Sequence, residues 1–81
     1  MIVERQVRLG YPQKLLKQPL LYGLIHQFDV QTNILEARVE ASEGWLLLSV
    51  QGEELQVDRG LDWLRQQGVQ VDVLSEGKEE R

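Results

Sequence analysis

The sequence predicts an α+β fold: a four-stranded antiparallel sheet with two helices on one face, in the order βαββαβ. Three observations carry this expectation. Apolar and polar residues alternate with the two-residue period of a half-buried strand over 2–11, 35–41, 45–51 and 69–73. Between them, two stretches repeat their apolar residues at three- to five-residue steps, the period of an amphipathic helix. The changes of period coincide with Pro12, Gly44, Gly52 and Gly68, residues that punctuate a chain.

In the first strand Val3, Val7, Leu9 and Tyr11 share one face while Glu4, Gln6 and Arg8 share the other, and Arg5 is the one misfit on the apolar side. Pro12 ends it, and residues 12–18 are polar and Lys-bearing, as a connecting loop would be. Pro19 suits the first turn of a helix, where a missing N–H costs nothing. Leu20, Leu21, Leu24, Ile25 and Phe28 then form one stripe, with Gly23 tolerable if that helix lies close against a sheet.

From Val30 the period returns to two. Leu35, Ala37, Val39 and Ala41 face one way, and Glu36, Arg38 and Glu40 the other. Ser42, Glu43 and Gly44 read as hairpin punctuation, with Gly44 able to take a positive φ. The returning strand sends Leu46, Leu48 and Val50 to one side and Trp45, Leu47 and Ser49 to the other. Gly52 breaks it. Glu53 and Glu54 carry negative charge at a helix start, and Val57, Gly60, Leu61 and Leu64 make the second stripe. Gly68 fits the left-handed position after that helix, and Val69, Val71 and Val73 alternate with Gln70 and Asp72 as the last strand. With right-handed crossovers and a central hairpin, this is the ferredoxin-like plan. The expected organisation is one domain over 1–74 and a flexible charged tail over 75–81.

Composition narrows the function. Eighty-one residues hold one domain, and 42% hydrophobic residues suffice for a core. No cysteine is present, which removes disulfides, thiolate metal sites, iron–sulfur ligation and a cysteine nucleophile. Thirteen acids against nine bases give a net charge of −4, the wrong sign for a general nucleic-acid binder. No apolar run approaches the ~20 residues of a membrane span, and no export signal is visible, so a cytoplasmic protein without membrane insertion is expected. No cofactor and no enzymatic activity are expected, because no nucleophile–base pair, metal cluster or phosphate loop is found.

The run Val30, Gln31, Thr32, Asn33, Ile34, Leu35 resembles the signature of the NIL domain, found in ATPase subunits of methionine-type ABC importers and in small separate proteins. Leu9 and Tyr11, Pro19 and Leu20, Leu61, Trp63 and Leu64, and Gly68 through Leu74 also follow the family pattern. The segment between the second and third strands is shorter than is usual in the family. The resemblance implies a regulatory domain similar to amino-acid-sensing ACT domains, which pairs as a homodimer and binds methionine, with the signature asparagine, here Asn33, at the ligand site beside Ile34.

By parity Asn33 points toward the helices, where its amide would donate to a carboxylate and accept from an ammonium; the alternative is local backbone capping. Parity also places Ile34, Trp45 and Leu47 together on the uncovered face of the sheet. An aromatic–aliphatic patch of that kind suits an interface with a second copy or a partner protein. His26 is a lone imidazole expected at the surface, and Trp63 is expected at the core margin beside the first helix. The carboxylates Glu36, Glu40, Asp58 and Asp62 interleave with arginines as on a solvated face.

Overall fold

The computed structural model describes residues 1–15 and 18–79. Its elements are β1 (Ile2–Pro12), one 3₁₀ turn (Gln13–Leu15), α1 (Leu20–Phe28), β2 (Gln31–Val39), β3 (Glu43–Glu53), α2 (Glu54–Gln66) and β4 (Gln70–Glu79). The strands lie in the order β2-β3-β1-β4 and every pairing is antiparallel. Two interleaved βαβ units, each skipping one strand, give the ferredoxin-like arrangement anticipated from the alternation of periods.

The core lies between sheet and helices. Val3, Val7, Leu9 and Tyr11 of β1, Leu48 and Val50 of β3, Val71 of β4 and Val69 just before it meet Leu20 and Leu24 of α1 and Val57, Leu61 and Leu64 of α2. Burying each such side chain contributes roughly 1.5–3 kcal/mol. Arg5 stands in the same inward row, and its partners on α2 explain why: the guanidinium donates to the Asp58 carboxylate, with Glu54 at 3.8 Å. The misfit in the apolar pattern is thus an ionic tie from the central strand to the helix above it.

The helices approach through two glycines, so the close neighbour of Gly23 is α2 and not, as expected, the sheet. A Cβ at Gly60 would sit 2.6 Å from Leu24 Cδ1, and one at Gly23 would sit 2.8 Å from Trp63 Cη2. Trp63 also meets Phe28, with ring centroids 5.9 Å apart, so it covers the core margin as expected. At the far end of α2, Gly68 adopts φ +100, and the Val69 N–H donates to the Leu64 carbonyl, closing the helix.

Four local expectations are corrected. Gly44 is buried within β3, between Tyr11 and Val39 in register, and has no positive φ; the hairpin turns before it, where the Glu40 N–H donates to the Glu43 carbonyl. Gly52 does not break β3, because its missing Cβ leaves room for Val30, whose Cγ1 would lie 3.1 Å away. The 12–18 segment is not wholly a polar loop: Leu15 is buried in the core, although residues 16 and 17 lie outside the described residues. Finally, β4 runs on to Glu79, paired along the first half of the long β1, where a charged tail was expected; residues 80 and 81 lie outside the described residues.

Candidate functional site

The signature segment forms β2, and β2 is an edge strand. Among the described residues only one of its two backbone ladders is used, and of its side chains only Thr32 is half-buried; the rest are exposed. Ile34 is 51% and Val39 73% exposed, so an apolar row on this strand faces solvent although it lies on the helix side of the sheet. An open edge carrying apolar side chains is a ready surface for another chain.

Parity misplaces two residues of this strand. Asn33 stands opposite Ser49, and Ile34 opposite Leu48, which is buried in the core. Directly opposed residues share a face. Ile34 therefore lies on the helix side and Asn33 on the open side, the reverse of the expectation. The cause is a bulge: the register shifts between Ile34 and Glu36, leaving Leu35 as an extra residue. Beyond it Ala37 and Val39 keep the helix side, opposite Leu46 and Gly44, as the alternation anticipates. The grouping of Ile34 with Trp45 and Leu47 consequently divides, and only the two β3 residues occupy the open face.

On that face Trp45 is half-buried without any helix above it. Arg8 from β1 lies over its ring at 5.0 Å and Arg38 from β2 at 6.0 Å, while Gly10 stands opposite it in the ladder. Each cation–π contact at such a site contributes ~0.5–1 kcal/mol. Beside the indole is a polar recess of about 440 Å³, lined by Arg8, Gly10, Gln70 and Asp72 among others.

A second cavity, about 220 Å³ and mostly apolar, opens between the start of α1 and the hairpin end of β2 and β3. Leu20, Leu21, Val39 and Leu46 form its walls, and Tyr11, Gln18 and Arg38 bring polar groups to it. Tyr11 is 9% exposed, and burial raises its hydroxyl pKa above the ordinary value. Asn33 does not line this cavity, because it lies at the opposite end of β2. In the sequence Tyr11 marks only the end of the apolar row of the first strand. A signal for the cavity was present in Pro19, which opens a helix without a capping side chain.

The remaining candidates are accounted for by their surroundings. His26 is exposed and stacks on Tyr22, with centroids 4.0 Å apart. Asp62 pairs with Arg65 at 2.9 Å on the surface of α2, and Asp58 with Arg5. Among the described residues no group of three or more His, Cys, Asp or Glu is placed to hold a metal ion, and no helix is long and apolar enough to cross a membrane.

Comparison with known proteins adds to this geometry. A family model described as the NIL domain matches residues 5–73. The chain is 31% identical over 72 residues to a methionine import ATP-binding protein MetN of Coxiella burnetii, covering 84% of this chain and 20% of that protein. It is 33% identical over 72 residues to MetN 1 of Enterococcus faecalis, with the same coverage. It thus spans about one fifth of the length of the curated relatives it matches. The C-terminal domain of an ABC transporter ATP-binding protein from Enterococcus faecalis superposes with a TM-score of 0.79 at 21% identity, covering 88% of this chain and 83% of that one. A de novo designed protein, Foldit4, shares the fold at a TM-score of 0.61 and 13% identity, covering 99% of this chain and all of that one.

Proposed function

The chain belongs to the NIL domain family, and on that premise we propose that it is a non-enzymatic regulatory module that binds methionine, or a closely similar small amino acid, at the junction of two copies. Its relatives are named as methionine import ATP-binding proteins, so the natural setting is the cytoplasmic side of an importer. Nucleotide chemistry would fall to another segment or polypeptide, since no phosphate loop is present in this sequence.

The observation that carries this reading is the state of β2. Asn33 sits on an edge strand with an unused ladder and uncovered side chains, while the apolar cavity lies at the strand's other end. If two β2 edges pair antiparallel about a two-fold axis, the Asn33 end of one strand comes alongside the Val39 end of the other, where the cavity opens. Each ligand would then bridge both copies. Regulation follows by linkage: a ligand that prefers the paired form stabilises it, and the attached machinery responds to the changed population.

The test is titration calorimetry with methionine, together with light scattering at two protein concentrations with and without ligand. Binding with a shift toward dimer is expected. Ligand at ~100 times Kd stabilises a domain by ~2.7 kcal/mol, which for this size raises Tm by roughly 10–20 °C. Absence of heat and of any melting shift at millimolar methionine would remove the sensing role.

The open sheet face supports a second reading, a ligand-free oligomerisation or docking domain built on Trp45 and Leu47. Ile34, on the opposite face, takes no part in such a surface. Under this reading Trp45→Ala abolishes association and Asn33→Ala leaves it intact; under the first, the Asn33 variant loses the methionine response.

A further inference from the structure

We infer that the polar recess beside Trp45, on the open face of the sheet, is a binding site for a small molecule with one carboxylate and two cationic groups, the charge set of a basic amino acid such as lysine. The site is complete within a single chain. It stands apart from the methionine reading, which needs a second copy and the helix side of the sheet.

Charge fixes the polar groups of the ligand. Among the described residues lining the recess, Arg8, Glu43 and Asp72 are the charged ones. Arg8 and Asp72 stand directly opposite in the β1–β4 ladder, a position where unlike charges ordinarily meet. Here they stay apart. The Arg8 guanidinium lies over the Trp45 ring at 5.0 Å, and among the described residues neither side chain makes an ion pair. Asp72 instead accepts from Gln70 Nε2 at 3.4 Å, which leaves most of its acceptor capacity open. Glu43, opposite Pro12 and two ladder rows beyond Arg8, has no side-chain partner among the described residues either. One cation and two anions held apart around one recess are complemented by one anion and two cations.

Shape selects among such molecules. Gly10 forms the floor, between Trp45 and Gln70 in the two ladders, and a Cβ there would meet nothing nearer than Gln70 Cβ at 3.5 Å. The middle of the recess is therefore free of side chain. Its volume of about 440 Å³ falls within the roughly 300–1,000 Å³ of small-ligand sites. From the Arg8 row to the Glu43 row is ~13 Å along a strand, so only an elongated ligand reaches both ends. The α-carboxylate would meet Arg8, the α-ammonium Asp72 and the ε-ammonium Glu43, with the methylene stem laid along the indole. A ligand with an uncharged side chain leaves Glu43 unmatched.

The experiment is a titration of the full chain, followed residue by residue in NMR correlation spectra. Three probes are compared: lysine, norleucine, which has the same stem without the ε-ammonium, and Nα-acetyllysine, which lacks the α-ammonium. Lysine is expected to shift the Gly10 and Gln70 amides and the Trp45 indole N–H, with norleucine and Nα-acetyllysine each about fivefold weaker. Added salt should weaken lysine further. Glu43→Gln should bring lysine down to the level of norleucine, and Asp72→Asn should bring it down to that of Nα-acetyllysine; both are exposed positions where substitution leaves the fold intact. The inference is overturned if millimolar lysine leaves those resonances unmoved, if norleucine binds as well as lysine, or if either variant binds lysine as the parent does. Methionine, like norleucine, lacks the third charge, so its effect on pairing and the lysine response succeed or fail independently.

Discussion

Replacing Asp58 by alanine strips Arg5 of its principal partner while leaving the guanidinium in the core row of the central strand. The Arg5 side chain is only 9% exposed, whereas Asp58 is 53% exposed. Breaking a fully buried pair costs ~3–5 kcal/mol, but water reaches half of this one. Glu54, at 3.8 Å, also retains part of the attraction. A loss of about 1–2 kcal/mol is therefore expected for Asp58→Ala, measured as a drop in urea midpoint at constant slope. Arg5→Met substitutes an apolar side chain for the charge and should lie within about 1 kcal/mol of the parent, on either side. In that background Asp58→Ala should cost under about 0.5 kcal/mol, as for any exposed site. The double-mutant cycle thus isolates a coupling of about 1 kcal/mol. An equal cost for Asp58→Ala in both backgrounds would refute the view that the ion pair is what makes a charged residue tolerable in the inward row.

Other perturbations test separate parts of the structure. Gly60→Ala gains up to ~1 kcal/mol in helix propensity but drives a Cβ to 2.6 Å from Leu24 Cδ1; with overpacking at ~1–3 kcal/mol, a net destabilisation of about 1 kcal/mol is expected by chemical denaturation. Gly68→Ala places a side chain at φ +100 and should lower stability by about 1–2 kcal/mol, with no such loss at Gly10, where a Cβ meets nothing nearer than 3.5 Å. The Tyr11 hydroxyl pKa is raised above 10.0 in the fold. Above that pH the unfolded chain releases a proton that the folded one keeps, so stability present below pH ~10 declines as pH rises toward the folded value. Tyr11→Phe should flatten that alkaline decline in melting temperature.

The order of elements was legible because it rests on apolar periods that local chemistry writes directly: Val3, Val7 and Leu9 for β1, Leu20 and Leu24 for α1, Val57, Leu61 and Leu64 for α2. What escaped depends on partners far along the chain. The continuation of β4 through residues 75–79 comes from the length of β1 beside it, and nothing in Ser75 to Glu79 marks a strand. Gly44 and Gly52 look like breakers until Gly44 is seen paired with Tyr11 and Val39 inside the ladder, and Val30 where a side chain at Gly52 would lie. The bulge at Leu35 is invisible to a parity count and inverts every assignment before it, which is why Asn33 and Ile34 exchange faces. The cavity, similarly, is assembled from β1, α1 and the hairpin, and no single segment announces it.

That irregular step in the outermost strand also bears on solubility. Small sheet proteins with a bare margin tend to stack into fibres, because straight ribbons can zip along their full length. Here the margin offers two short runs, Gln31–Ile34 and Glu36–Val39, offset by a kink rather than one continuous rail. Only a strand with a matching kink, such as that of a second copy, can follow both runs, so mating at this rim stays finite. Excising Leu35 would straighten the rim, and the same polypeptide should then form ordered aggregates far more readily.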